Sequence, residues 1–257
     1  MKLRLISFCV LSLFAAGCNK PKPIGDVPEA FYYKGAPVDP ACFLDTTAQM
    51  GDSISLNVCT GKNKAQPEYK EDHFYGVEIT DAGGGSPPYI YYRYLGEIDG
   101  NHVIHTISSG GGSSQISSVR LVELDGKLLR TVKRIAGGDR CNGGIVSASV
   151  VGSSVRYTKN ITAYDLADLS KGTEAGFRRN SDLQSDARTC LGTATLEDDE
   201  VQSITLSLNP SELEGNLSEK GACFLGVYSE YFKPERVLDS RAVYNFGMDL
   251  NNKCGTL

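Results

Sequence analysis

Apolar and polar residues roughly alternate between residues 74 and 158, and pairs of turn-forming residues separate the alternating runs. Residues 89–95 and 102–107 are two such runs, and Asp99-Gly100 lies between them. A period of two places successive side chains on opposite faces of a strand, and Asp-Gly between two such runs is a strong hairpin signal. The pattern therefore predicts an antiparallel β-hairpin in this part of the chain.

Two further hairpins follow the first one. Their turns are predicted at Asp125-Gly126 and Gly152-Ser153, and their strands at 115–124, 127–135, 145–151 and 155–158. The glycine-rich segments 108–114 and 137–144 are predicted to be loops between these strands. Consecutive hairpins of this kind form a meander.

Beyond residue 160 the pattern becomes mixed, with short helical and strand-like runs. Helical signals occur at 162–169, at the capping-box sequence 181–184 and from Asn209-Pro210. Strands are predicted at 190–196, 201–208, 223–231 and 236–244, the first two joined by the acidic turn 197–200. Short strands at this spacing predict an all-β fold, mainly an antiparallel meander, that forms a barrel, a sandwich or a propeller-like array with a few short helices.

The first residues of the chain have a different composition. Lys2 and Arg4 precede an uncharged apolar run at residues 5–14, which is shorter than the roughly 20 residues of a membrane-spanning helix. Its length is that of a signal-peptide core, and residues 15–18, Ala-Ala-Gly-Cys, follow it. This segment resembles the lipobox of bacterial lipoproteins. An ordinary secretory signal that ends near Cys18 is the alternative.

The resemblance implies that residues 1–17 are a removable signal peptide and that Cys18 carries the lipid. Two or three acyl chains anchor a protein stably without a membrane span. Asn19 in place of Asp favours the outer membrane, with the folded part in the periplasm or at the cell surface. Residues 18–40, with five prolines, are predicted to be a stiff tether, and residues 41–257 a single β-rich domain.

Six cysteines remain after the signal and the lipidated residue are set aside: Cys42, Cys59, Cys141, Cys190, Cys223 and Cys254. An even number of cysteines in an exported protein predicts disulfides, here three. Six cysteines allow 15 pairings, and the sequence does not select one of them. Our prediction is the sequential pairing, which closes the shortest loops and joins Cys42 to Cys59, Cys141 to Cys190 and Cys223 to Cys254. The chain has no Cys-x-x-Cys pair, so a zinc site is not predicted. No other metal and no cofactor is predicted either.

Charge narrows the range of partners. Once the signal and its two basic residues are removed, 24 basic and 31 acidic residues remain, a net charge of about −7. Nucleic acids and anionic lipid surfaces require clustered lysines and arginines, so neither is predicted as a partner. The chain is predicted to contact the membrane through its N-terminal lipid.

The histidines and the glycine-serine segments offer little catalytic chemistry. His102 and His105 form an HxxH pair, but residues three apart on a strand face opposite sides and are not expected to share a metal ion. Segments 83–86 and 110–113 lack the spacing of a serine nucleophile or a phosphate-binding loop. No catalytic residue is predicted.

Two groups of residues are possible binding sites. Alternation places Tyr89 and Tyr91 on one face of a strand and Tyr92 and Tyr94 on the other. One of these faces would be core, and the other either sheet packing or an exposed aromatic platform for a glycan or a protein. Asp139 and Arg140, beside Cys141, would either fix a loop or bind a ligand carboxylate.

These observations favour a non-enzymatic, membrane-anchored lipoprotein that binds a protein or a glycan of the cell envelope. One alternative is an inhibitor of a secreted hydrolase such as lysozyme, which rests on fold-level analogy. Another is an envelope hydrolase, which would need an acid/base pair that no motif in the sequence supplies.

Overall fold

The computed structural model describes residues 27–45, 53–59, 68–70, 73–78, 87–213, 217–234 and 236–255. The predicted signal peptide, Cys18 and the segment 83–86 lie outside these residues. Antiparallel sheets dominate the structure, with 45% of the described residues in strands and 26% in helices, and one sheet is curled into a half-barrel. This confirms the all-β class with a few short helices.

The N-terminal residues form a layer of short elements. In chain order they are a 3₁₀ turn (Glu29–Phe31), β1 (Tyr32–Tyr33), β2 (Ala36–Pro37), α1 (Cys42–Asp45), β3 (Ser53–Ser55), α2 (Leu56–Cys59) and β4 (Glu68–Lys70). Strands β1 and β2 pair with each other, whereas β3 and β4 are the two edges of a larger sheet.

That larger sheet has seven antiparallel strands in the order β3-β9-β8-β7-β6-β5-β4. Its five inner strands are β5 (Phe74–Glu78), β6 (Tyr89–Ile98), β7 (Asn101–Ser109), β8 (Ile116–Asp125) and β9 (Leu128–Asp139). The predicted hairpins at 99–100 and 125–126 are confirmed. Strands β7 and β9 continue to Ser109 and Asp139, so the loops that follow them are shorter than predicted.

A second sheet has five antiparallel strands in sequential order. They are β10 (Ile145–Val151), β11 (Ser154–Ile161), β12 (Gly192–Glu197), β13 (Glu200–Leu206) and β14 (Val237–Asp239). The helices of this half are α3 (Ala163–Leu169), α4 (Glu219–Tyr231) and α5 (Ser240–Cys254), with 3₁₀ turns at Gly172–Ala175 and Pro210–Glu212.

Two strands predicted near the C-terminus are wrong. Residues 223–231 lie in α4, and residues 236–244 contain only the short β14 before α5 begins at Ser240. The buried positions of α5 recur every three or four residues, which is the period of a helix rather than a strand. They are Val243, Phe246, Gly247, Leu250 and Cys254.

The capping box predicted at residues 181–184 is also wrong. This segment forms a turn closed by a bridge between Arg179 and Leu183, not a helix. A capping box instead begins α3, where the Thr162 hydroxyl accepts the Asp165 N–H and the Asp165 carboxylate accepts the Thr162 N–H. The helix start predicted at Asn209 is confirmed by the capped 3₁₀ turn that follows it.

The seven-stranded sheet is buried on both faces. Val103 packs into a core shared with the five-stranded sheet and the helices, whereas its neighbour Ile104 packs into a core under the N-terminal layer. Phe31 and Val38 of that layer are fully buried. Residues 27–40 are therefore part of the folded body, and the prediction that they belong to a tether is wrong.

Three disulfides join the cysteines in the predicted order. Cys42 pairs with Cys59, Cys141 with Cys190, and Cys223 with Cys254. The first lies within the N-terminal layer, the second connects the end of β9 to the segment before β12, and the third links α4 to α5.

Candidate functional site

The tyrosines of β6 are divided between the two faces, as predicted. Tyr92 and Tyr94 both contact the ring of Phe31, with centroid distances of 6.0 and 5.9 Å, and Tyr89 contacts Tyr91 on the other face. Tyr91 and Tyr92 are buried, and Tyr89 and Tyr94 are half-buried. The aromatic platform on this strand is therefore not exposed on either face, because both faces are packed.

The histidines of β7 also lie on opposite faces. His102 contacts Phe31 under the N-terminal layer, and His105 contacts Phe74 on the other side of the sheet. Burial lowers the pKa of both imidazoles, that of His105 to about 3. Among the described residues, no group of three or more His, Cys, Asp or Glu side chains is placed to hold a metal ion.

Asp139 and Arg140 fix the loop that follows β9. The Asp139 carboxylate accepts the backbone N–H of Gln115 at 2.9 Å and the guanidinium of Arg140 at 3.2 Å. The Arg140 carbonyl accepts hydrogen bonds from Gly144 and from the Asn160 side chain. Of the two predicted roles for this pair, the contacts support loop fixation.

A groove lined by described residues lies elsewhere and has a volume of about 510 Å³. Three segments that are distant in sequence form it: the end of α3, the β12–β13 turn, and the first turns of α5. They contribute Asp168, Leu169, Ser170, Lys171, Asp199, Glu200, Val201, Ser240, Val243 and Tyr244. We call this feature the acidic groove.

The β12–β13 turn owes its shape to two aspartates in the left-handed region. Asp198 and Asp199 have φ values of 48° and 70°, as a two-residue hairpin turn requires. The Asp198 carboxylate accepts the Ser154 hydroxyl at 2.6 Å and the Val155 N–H at 3.2 Å, and these bonds lower its pKa. The neighbouring turn of β10 and β11 thus holds the acidic turn in place.

Asp199 is held from the inside of the sheet. It accepts the hydroxyl of the buried Tyr157 at 2.9 Å. Burial, together with this hydrogen bond, raises the pKa of Tyr157, so its phenol remains protonated as a donor. The Asp199 carboxylate is therefore oriented at the groove by a fixed partner.

The two helical walls of the groove, α5 and the end of α3, come into close contact at a glycine of α5. A Cβ atom at Gly247 of α5 would overlap the carbonyl group of Ser170, which follows α3. Asp239 caps α5 by accepting the Ala242 N–H at 2.8 Å. This close contact sets Ser170 and Lys171 beside the first turns of α5.

The lining of the acidic groove combines three chemical types. Leu169, Val201 and Val243 provide apolar surface. Asp168, Asp199 and Glu200 are exposed carboxylates, and the Tyr244 residue is 57% exposed. A concave surface that combines apolar contact area with a few polar groups is suited to binding.

Only one part of this groove was visible in the sequence, the acidic turn at residues 197–200. Its other parts are single residues at the ends of helices, one of which was predicted as a strand. Comparison with known protein families, with curated proteins and with solved structures found no match. Among the described residues, no helix has both the length and the apolar character needed to span a membrane.

Proposed function

We propose that this chain is an exported, lipid-anchored and non-enzymatic module that binds a protein of the cell envelope through the acidic groove. The observation that carries the proposal is the groove itself, in which apolar side chains, exposed carboxylates and an exposed tyrosine share one concave surface. Tyrosine is enriched in protein interfaces because it offers contact area and a polar tip at little entropic cost.

Two features support export and anchoring. Residues 15–18 resemble a lipobox, and the three disulfides are typical of oxidising compartments outside the cytoplasm. The lipid on Cys18 would hold the folded part at the membrane, close to envelope partners.

Anchoring is tested by labelling cells with a radioactive or alkyne-bearing palmitate. We expect the wild-type chain to incorporate the label and to sediment with membranes, and a Cys18→Ala variant to do neither. Equal labelling of both chains would contradict lipidation at Cys18.

Binding is tested by photo-crosslinking of the full-length lipoprotein in its native membrane. The photoreactive amino acid p-benzoylphenylalanine replaces Tyr244 in one strain and Val146, which is 55% exposed on β10, in a control strain. We expect one envelope protein, identified by mass spectrometry, to crosslink at position 244 only and to be lost when Asp168 and Glu200 are neutralised. Identical crosslinks from both positions, or none from position 244, would overturn the proposal.

A further inference from the structure

We propose that the acidic groove receives the side chain of a lysine or arginine that projects from the partner protein. This inference rests on the proposed function and specifies its chemistry. It follows from the charge of the groove, the apolar residues that line it, and the exposure of Tyr244.

The charges at the groove favour a cationic occupant. Asp168, Asp199 and Glu200 contribute three carboxylates, and Lys171 contributes one ammonium group. The positive end of α5 also points here, but the Asp239 carboxylate already accepts the Ala242 N–H at this end and offsets it. Lys171 balances only one of the three carboxylates, so the groove keeps a net negative charge.

The apolar surface favours a long aliphatic stem beneath that cation. Leu169 and Val201 line two different walls of the groove, and Val243 of α5, which is almost fully buried, also lines it. Lysine and arginine bury their methylene stems along apolar surface while the charged group stays in a polar environment. A bare inorganic cation would leave this surface without contact.

Tyr244 supplies a third contact. Its ring is exposed at the groove, and the electron-rich face of an aromatic ring attracts an ammonium or guanidinium group. Carboxylates, an aliphatic surface and an aromatic face together match a charged head on an apolar stem.

The chain offers a convenient readout because it contains no tryptophan. Fluorescence of a probe peptide with one tryptophan can therefore be followed without background from the protein. The probe is a hexalysine peptide, added to the full-length lipoprotein in detergent at near-physiological salt. One comparison peptide carries acetylated lysines, which keep the stem and lose the charge, and another carries diaminobutyrate, which keeps the charge on a shorter stem.

We expect hexalysine to bind at least about fivefold more tightly than either comparison peptide, a difference of about 1 kcal/mol. Tyr244→Ser and the double variant Asp168→Asn with Glu200→Gln are each expected to weaken hexalysine binding about five- to tenfold. Glu219→Gln, which removes an exposed carboxylate outside the groove, controls for the net negative charge of the chain and is expected to change the affinity less than twofold.

Three results would overturn the inference. The first is equal weakening by Glu219→Gln and the groove variants, which would indicate diffuse attraction to an acidic protein. The second is no measurable binding of hexalysine. The third is tighter binding of free spermine than of the peptide, which would assign the groove to a polyamine. A crosslink at position 244 alongside any of these results would leave the proposed binding function standing and reject only its lysine or arginine chemistry.

Discussion

His105 shows how a single buried group couples this fold to pH. His105 is 2% exposed, and neither of its ring nitrogens has a hydrogen-bond partner among the described residues. Burial lowers its pKa from 6.5 to about 3, and the positive charge of Arg93 on the neighbouring strand adds to this effect. The folded protein thus holds the imidazole neutral under conditions in which the unfolded chain binds a proton.

The sign of the resulting pH dependence follows directly. As pH falls below about 6.5, His105 takes up a proton in the unfolded chain but stays neutral in the folded protein. The free energy of unfolding therefore falls by up to about 1.4 kcal/mol per pH unit until about pH 3. We expect His105→Leu to flatten this decline in urea unfolding between pH 7 and pH 4. His73→Asn, at an exposed residue, is the control, and parallel curves for wild type and His105→Leu would refute the assignment.

Asp182 is a buried carboxylate that the fold stabilises in its charged form, whereas His105 is held in its neutral form. It accepts the backbone N–H and the guanidinium of Arg178 and the hydroxyl of Ser218, which caps α4. These bonds, with that from the Arg178 side chain as the largest cause, lower its pKa to about 2. Its contribution to stability is present above about pH 4 and is lost as pH falls towards 2.

We expect Asp182→Asn to lower the free energy of unfolding at pH 7 by about 1–3 kcal/mol, because charged hydrogen bonds are replaced by weaker ones. The difference from wild type should narrow between pH 4 and pH 2, as the wild-type carboxylate takes up its proton. Urea titrations at several pH values measure both. Asp186→Asn, a nearby and more exposed position, is the comparison, and a constant difference across this pH range would show that the charge is not responsible.

At the scale of elements, the central hairpins were predictable and the C-terminal helices were not. Strands β6 to β11 alternate in polarity and are joined by tight glycine-containing turns or short glycine-rich loops, so that local chemistry specifies them. In α4, Gly221 and Gly226 lower the helix propensity, while Phe224, Val227 and Tyr228 have residue types that favour strands. Helix α4 forms because tertiary packing buries one of its faces. Such packing cannot be predicted from the residue types of the segment alone.

The contact between α5 and the end of α3 gives a prediction at this scale. Since a Cβ at Gly247 would overlap the backbone of Ser170, we expect Gly247→Ala to destabilise the fold by about 1–3 kcal/mol. Gly226 of α4 has no atom near its would-be Cβ, so Gly226→Ala should stabilise the helix by about 0.5–1 kcal/mol. Thermal unfolding of both variants checks the opposite signs. A stabilising Gly247→Ala would mean that α5 does not pack against Ser170 as described, and a destabilising Gly226→Ala would contradict the open space at that position.

At the scale of the whole molecule, the candidate site could be predicted only in part. The acidic turn at residues 197–200 is visible in the sequence. Tyr244 joins it because β14 pairs with β13 and leads directly into α5, and Leu169 joins it because α5 packs closely against Ser170 at the end of α3. For the four tyrosines of β6, the sequence indicated the arrangement of the side chains but not their burial. Their alternation was predicted correctly, yet the burial of both faces depends on the N-terminal layer and the second sheet, which lie far away in sequence.

The two hydrophobic cores share the seven-stranded sheet, and we expect this sharing to make the chain unfold as one unit. Val103 and Ile104 are consecutive residues of β7 that serve different cores, so loss of either core removes support from the same strands. We therefore predict a single cooperative transition in urea, with coincident curves from tyrosine fluorescence and far-ultraviolet circular dichroism.

Paired Cys→Ala changes test this prediction from both ends of the molecule. Cys42–Cys59 lies beside one core and Cys223–Cys254 beside the other, and their sequence separations are 17 and 31 residues. From the loops they close, their removal should cost about 3 and about 4 kcal/mol, respectively. If both cores unfold together, each variant shifts the one transition, and the second variant shifts it further. If the wild-type transition has two steps, and each variant moves only the step of its own core, the chain contains two independent folding units. In that case the seven-stranded sheet does not couple them.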